Sequence, residues 1–285
     1  MLNAAAKPLV KLVDRYLPDP YIFVLILSIV VFAAAVLFQQ RSPLQVLQYW
    51  GDGFWGLLTF SMQMLLVLVT GFMLASTPLV TTLLRKLSAL AKTAPQAILL
   101  VTVVSLLASW LNWGFGLVVG ALFAKALARQ IQVDYRLLVA SAYSGFIVWH
   151  GGLAGSVPLT IATPGHFSEN LIGLIPTTDT IFANFNLLLV AILFIAVPLV
   201  NRLMLPKAAD SIYVDPAKLQ DQPAPVGSNE RPADKLENSM LLALLVGFAG
   251  IAYLVQYFVK GGSLNLNIVN YLFIFLAIVL HGTPR

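Results

Sequence analysis

The sequence predicts an all-α, polytopic membrane protein, and three observations carry that prediction. Hydrophobic residues make up 59% of the 285 and charged ones only 10%, where a soluble domain has roughly 25% charged residues. The mean hydropathy is +0.86. Apolar runs close to the ~20 residues a membrane helix needs recur along the chain. The formal charge of +5 would point to nucleic acid only if Lys and Arg gathered on one exposed face. They lie instead between the apolar runs, as flanking charge. With no cysteine, disulfides, thiolate metal sites and cysteine nucleophiles are excluded.

Lys7, Lys11 and Arg15 precede the first apolar run, 21–38, and no small-residue cleavage site follows Phe38. The run is therefore read as a retained first span and not as a signal peptide. Simple spans are expected at 21–38, 57–75, 181–200, 240–259 and 266–280. The stretch 96–124 is apolar and uncharged but too long for one comfortable span, and Asn112-Trp113-Gly114-Phe115-Gly116 interrupts it. The stretch 137–163 also lacks Asp, Glu, Lys and Arg, and is broken by His150-Gly151-Gly152, Gly155 and Pro158. Glycine costs about 1 kcal/mol and proline about 3 kcal/mol in a helix interior, so helices are expected to stop at these clusters. Non-helical backbone at membrane depth survives only where protein or a water-filled cavity surrounds it. Residues 206–238 hold Pro206, Pro216, Pro223, Pro225 and Pro232 among ten charged residues. They read as a solvated linker and the natural place to divide the chain.

Short cytoplasmic loops hold an excess of Lys and Arg, which decides how the two odd stretches cross. Take 96–124 as a re-entrant hairpin, 137–163 as one broken crossing, and the amino terminus as cytoplasmic. Of the 17 Lys and Arg, only Arg41 and Lys260 then fall outside. If both stretches cross fully, the split becomes 7 inside to 10 outside; if the first crosses and the second is the hairpin, it is 12 to 5. The hairpin followed by a broken span is the best of the three.

No Asp or Glu falls inside an expected span; Asp52, Glu169 and Asp179 are read as the nearest. A cation carrier would usually bury a carboxylate, so a neutral or anionic substrate is expected. Half-helix ends created near Asn112 and at His150 to Gly155 would offer free N–H groups to an anion. Asn112 is either a hairpin-tip ligand or the cap of a restarting helix. Gly114 and Gly116 permit close helix packing or close approach to a ligand. Trp113 and Trp149 lie at the breaks and not at interfaces, so pocket lining and packing both fit. His150 is the one titratable side chain expected at depth, as a proton relay or as a neutral histidine satisfied by a backbone partner. Ser144, Ser156, Thr160 and Thr163 offer hydroxyls to sodium or a carboxylate, or bond back to their own helices. Gly151 and Gly152 complete the candidate substrate site. There is no GxxxxGK[ST], HExxH or GxSxG motif and no acid pair near the midplane, so no enzyme is expected.

Three separated motifs, in order, carry a resemblance: Trp50-Gly51-Asp52-Gly53-Phe54-Trp55; Asn112-Trp113-Gly114-Phe115-Gly116-Leu117-Val118-Val119-Gly120; and Ala162-Thr163-Pro164-Gly165 followed by Gly173-Leu174-Ile175-Pro176. Along its whole length the chain resembles the bacterial short-chain fatty acid transporter family. The resemblance implies secondary transport of small monocarboxylates such as butyrate or acetoacetate across the inner membrane; symport with Na+ or H+ as coupling ion and simple facilitated exchange all fit the sequence. It also implies kinship with the ion-transporter superfamily: two inverted repeats, each with a hairpin and a broken helix, in a homodimer. On that basis 1–205 is expected to be the first repeat, 206–238 a cytoplasmic linker, and 239–285 the first two spans of the C-terminal half. Family members continue past residue 285, so a chain of this extent is expected to be incomplete and inactive alone. The alternative is a non-transporting membrane protein or assembly partner, or a carrier of another small organic anion.

Overall fold

The computed structural model describes residues 8–10, 12, 13, 15–17, 19–219 and 239–281. Lys7, Lys11, the linker from residue 220 to 238 and the last four residues lie outside the described residues. Among the described residues the regular structure is helical throughout. Four helices are long and apolar enough to cross a membrane, namely Leu58–Ala75, Ala94–Leu111, Asn184–Leu203 and Met240–Val259, and four shorter apolar helices accompany them. The chain is an all-α, multi-pass membrane protein.

The chain divides into two compact units, residues 1–61 and 62–285. In the first, α1 (Pro20–Leu37) is capped by the Asp19 carboxylate, and α2 (Pro43–Gly53) opens with a capping box between Ser42 and Gln45. Gln40 takes a positive φ of 51° in the turn between them. The sequence reading missed α2. Its signal is Ser42-Pro43, an N-cap followed by the one residue that gives up nothing at the first helical position. Helix α4 (Pro78–Ser88) was missed in the same way, although Thr77-Pro78 repeats the pattern. It follows α3 (Leu58–Ala75) after two residues.

The uncharged stretch 96–124 is a helical hairpin with longer arms than the sequence suggested, α5 (Ala94–Leu111) and α6 (Trp113–Ala128), joined at Asn112. A Cβ on Gly116 would collide with Ser109, and one on Gly120 would lie 2.8 Å from the Ser105 hydroxyl. Paired residues thus run in opposite senses, so the arms are antiparallel and touch along their length. At 1.5 Å per residue the arms are about 27 and 24 Å long, close to the ~30 Å of hydrocarbon in a bilayer.

The stretch 137–163 is broken as expected, with shifted edges. Helix α7 (Tyr135–Ser144) tightens into a 3-10 turn over Gly145–Val148, the chain turns irregularly through 149–155, and α8 (Ser156–Ile161) resumes for six residues. A short helix, α9 (Glu169–Ile172), follows in the loop. Helix α10 (Asn184–Leu203) starts and ends later than the 181–200 expected. Its last turn is held by Asn201, whose Nδ2 donates to Thr102 Oγ1 (3.1 Å) and Ser144 Oγ (2.8 Å), tying α10 to α5 and α7. Helices α11 (Met240–Val259) and α12 (Leu266–His281) pair where Gly247 and Gly250 admit Val279 and Phe275. Gln63 Nε2 donates to Asn267 Oδ1 (2.8 Å), and Asn270 Nδ2 to the Gln63 carbonyl (3.3 Å), joining α12 to α3. Such polar ties replace the hydrophobic drive that lipid removes.

The linker, expected to be a solvated connection, is docked in its described part. Asp134 caps α7 through Leu137 N–H, is 3% exposed, and accepts from Ile212 N–H (2.8 Å) and Arg136 Nη2 (2.7 Å). Tyr135 N–H donates to the Ile212 carbonyl (2.9 Å), and Arg129 Nε to that of Leu219 (2.8 Å). Asp134 is also the acid the sequence reading overlooked, one residue before a membrane-type helix. Burial pushes its carboxyl up, but hydrogen bonds from Arg136, Ile212 and Leu137 outweigh that and hold it below its ordinary value.

Candidate functional site

The hairpin turn at Asn112 and the helix break at 149–155, well apart in sequence, meet in space. Leu153 N–H donates to the Trp110 carbonyl at 2.7 Å. Gly152 lies so close that a Cβ there would come within 2.5 Å of the same oxygen. On the other side of the break, Asn186 Nδ2 donates to the carbonyls of Gly151 (3.1 Å) and Ile181 (2.7 Å), which anchors it to α10. The irregular backbone is therefore packed against protein on two sides, the kind of cover that non-helical backbone needs within a membrane.

Asn112 sits at the turn, fully buried, with extended backbone (φ −157°, ψ 126°). Its N–H closes α5 by donating to the Ala108 carbonyl, and its Oδ1 caps α6 by accepting from Phe115 N–H at 3.0 Å. The side-chain amide thus spends its acceptor on the helix start. Its Nδ2 donor has no partner among the described residues. Both readings of Asn112 remain compatible with one residue: the oxygen caps, and the nitrogen is available.

Trp113 begins α6, and its ring lies 5.5 Å from that of Trp149 and 6.2 Å from that of Phe146. Trp149 stacks on Phe146 (4.7 Å) and on His150 (4.3 Å). These four rings form one cluster bridging turn and break. The indole Nε1 groups of Trp110, Trp113 and Trp149 are buried without partners among the described residues, as is the hydroxyl of Ser156 at the start of α8. His150, expected at membrane depth, is exposed on the surface of the chain, with its ring against Trp149. Phe146 and Trp110 were not singled out from sequence, since an aromatic in an apolar run carries no positional signal.

The remaining candidates stand in helix contacts. Gly114 packs against Val67 and Leu68 of α3, which itself brings Gly71 against Phe115, and Gly116 packs against Ser109. Ser144 donates to the Ser141 carbonyl (2.7 Å) and accepts from Asn201. Thr160 and Thr163 bond back to the carbonyls of Ser156 and Leu159 (each 2.6 Å), and Thr163 also accepts from Leu266 N–H (3.1 Å). Asn186, inside the expected span 181–200, and Asn201, just past it, were passed over, although an amide in a membrane helix is itself a signal of a polar tie.

Buried N–H donors without partners among the described residues suit an acceptor ligand. A carboxylate only accepts, and a buried indole or amide N–H only donates. The N-terminus of α6, sixteen residues long, adds its partial positive charge at the same place.

The family described as "Short chain fatty acid transporter" matches residues 1–285. A protein of Escherichia coli (strain K12) is 42% identical over 289 residues, and one of Haemophilus influenzae (strain ATCC 51907 / DSM 11121 / KW20 / Rd) is 40% identical over 296. Both bear the name "Putative short-chain fatty acid transporter". Each alignment takes in 100% of this chain and 66% of the relative, so the chain spans just under two thirds of the length of these relatives. No solved structure matches. The matching family is one of transporters and not of enzymes. Matched by that family from its first residue to its last, the chain belongs to the short-chain fatty acid transporter family.

Proposed function

We propose that the protein is a secondary transporter that takes up small monocarboxylates such as butyrate or acetoacetate across the bacterial inner membrane. Its N-terminus faces the cytoplasm, and the α5–α6 hairpin enters and leaves from that side. One observation carries the proposal: at the junction of the hairpin turn and the helix break, buried N–H donors stand without partners at the start of α6. A buried donor left unsatisfied costs about 1–3 kcal/mol. A carboxylate that supplies the missing acceptors recovers that cost, and the ring cluster of Trp113, Phe146 and Trp149 accepts a short alkyl chain. Ser156 supplies one hydroxyl to the carboxylate or to a coupling Na+. H+ coupling would fall to His150. The working unit is proposed to be a homodimer, as the family resemblance implies.

The test is uptake of labelled butyrate by vesicles containing the full-length protein under imposed Na+ and H+ gradients. Saturable uptake, inhibited by acetoacetate and other short monocarboxylates but not by short amines, is expected. Inhibition by amines in preference to acids would refute an anion site. A pH profile unchanged by His150→Gln would remove His150 from coupling, because glutamine keeps hydrogen bonding but does not titrate.

A further inference from the structure

The run from Trp50 to Trp55 has no part in the hairpin turn or the helix break, and α2, the helix that carries most of it, has a two-sided pattern of its own. Gln45, Gln48 and Asp52 recur at i, i+3 and i+7, and so do Leu47, Trp50 and Phe54. With 3.6 residues per turn the two sets fall on opposite sides of the helix. The apolar set is open, with Leu47 54%, Trp50 59% and Phe54 57% exposed. The rings of Trp50 and Phe54 meet edge to face at 5.5 Å, and those of Phe54 and Trp55 at 5.1 Å, so the apolar side is extended by one aromatic surface.

Two observations say what covers that side. First, α2 has 11 residues, about 16 Å at 1.5 Å per residue, roughly half of the ~30 Å hydrocarbon layer. It is too short to carry the chain across. Second, it is bracketed closely by membrane-type helices. The apolar, uncharged α1 ends at Leu37, a short turn before Pro43, and α3, long and apolar enough to cross, begins at Leu58, a short turn after Gly53. With α1 and α3 as spans, both ends of α2 are tied to one membrane face, and its apolar side continues the interface that α1 has just crossed. Tryptophan and tyrosine concentrate at that depth, where the ring reaches apolar surroundings and the N–H or O–H reaches water.

We propose that α2 lies in the headgroup layer of the bilayer, with Leu47, Trp50 and Phe54 turned to the hydrocarbon and Gln48 and Asp52 turned to water. Its partner is the lipid surface, and it holds the crossover from α1 to α3 at a fixed depth. The inference is independent of the carboxylate site and holds on either face of the membrane.

Spin labelling reads this directly, since the 285 residues contain no cysteine. Single cysteines replace Leu47, Gln48, Trp50, Asp52 and Phe54 in the full-length protein on a cysteine-free background. The labelled proteins are reconstituted in vesicles of phosphatidylethanolamine and phosphatidylglycerol. Relaxation by oxygen, which partitions into lipid, is compared with relaxation by a water-soluble nickel chelate. Labels at Leu47, Trp50 and Phe54 should favour oxygen, at a depth of about 5–10 Å below the headgroup boundary, and those at Gln48 and Asp52 should favour nickel. Equal nickel access on both sides would place α2 in water. Labels on the apolar side that are immobilised and shielded from both reagents would place it against protein. Depth that increases steadily from Leu47 to Phe54 would make α2 an inserted segment. Each of these three results overturns the lipid assignment. The pattern is read over five exposed positions, so no single variant decides it, and monodisperse elution of each labelled protein in detergent checks folding.

Discussion

Gly116 has no room for a side chain, because the backbone of Ser109 on the opposite arm fills the place where a Cβ would go. Replacing it by alanine should force the arms apart at a cost of about 1–3 kcal/mol. Since the collision is with backbone as well as hydroxyl, Ser109→Gly should not rescue it. Restored folded yield in that double variant would show the contact to be a side-chain clash only. Asn112 poses a different kind of constraint, with one side-chain atom capping a helix and another lacking a partner. At this scale the sequence was partly legible. A lone Asn followed by two closely spaced glycines, Gly114 and Gly116, in an apolar run announces a helix restart, but which of its two side-chain atoms is spent follows only from the backbone geometry at the turn. Ser144 illustrates the opposite case. Its hydroxyl suited a ligand on paper, and Asn201, 57 residues away, accounts for it.

Among the elements, the hairpin and the broken helix were legible because breaks in an uncharged run are expensive and therefore conspicuous. Their boundaries were not, since helices run on past the last apolar residue wherever a cap or tertiary bond receives the chain. The docked strap at 205–219 was hidden entirely. Proline and charge describe a solvated linker, and nothing local reveals that Asp134 reaches across to Ile212. Asp134→Asn keeps an oxygen to cap α7 but offers Ile212 N–H a donor in place of an acceptor. We expect it to release the strap, with faster proteolytic cleavage around residues 206–219 and a loss of about 1–3 kcal/mol. Unchanged cleavage would mean that Tyr135 and Arg129 suffice to hold it. The carboxyl titrates below its ordinary value of 3.8 in the folded protein. Its contribution is therefore present at neutral pH and is lost only as the pH falls through that lowered value. Strap release should accordingly appear in strong acid and not between pH 5 and 8.

Across the whole molecule, the distribution of Lys and Arg favours a hairpin that returns to the side it left. Gln130 bonded to Ser88 ties the foot of α6 to the end of α4, the helix that precedes the hairpin. With no native cysteine, single cysteines report sidedness without background. Cysteines at Lys92 and Gln132 should react only with reagent from the cytoplasm, and one at Lys260 only from outside; opposite labelling of the two hairpin positions would replace the hairpin by a single crossing. The most direct measurement of the central claim is butyrate uptake by Asn112→Asp in the full-length protein. Aspartate keeps the oxygen that caps α6 and is favoured at a helix N-terminus, so folding should be preserved. It replaces the unpartnered donor by a negatively charged acceptor, so uptake should fall at least about tenfold, equivalent to about 1.4 kcal/mol. Wild-type uptake by a normally folded Asn112→Asp protein would contradict a carboxylate site at the hairpin turn.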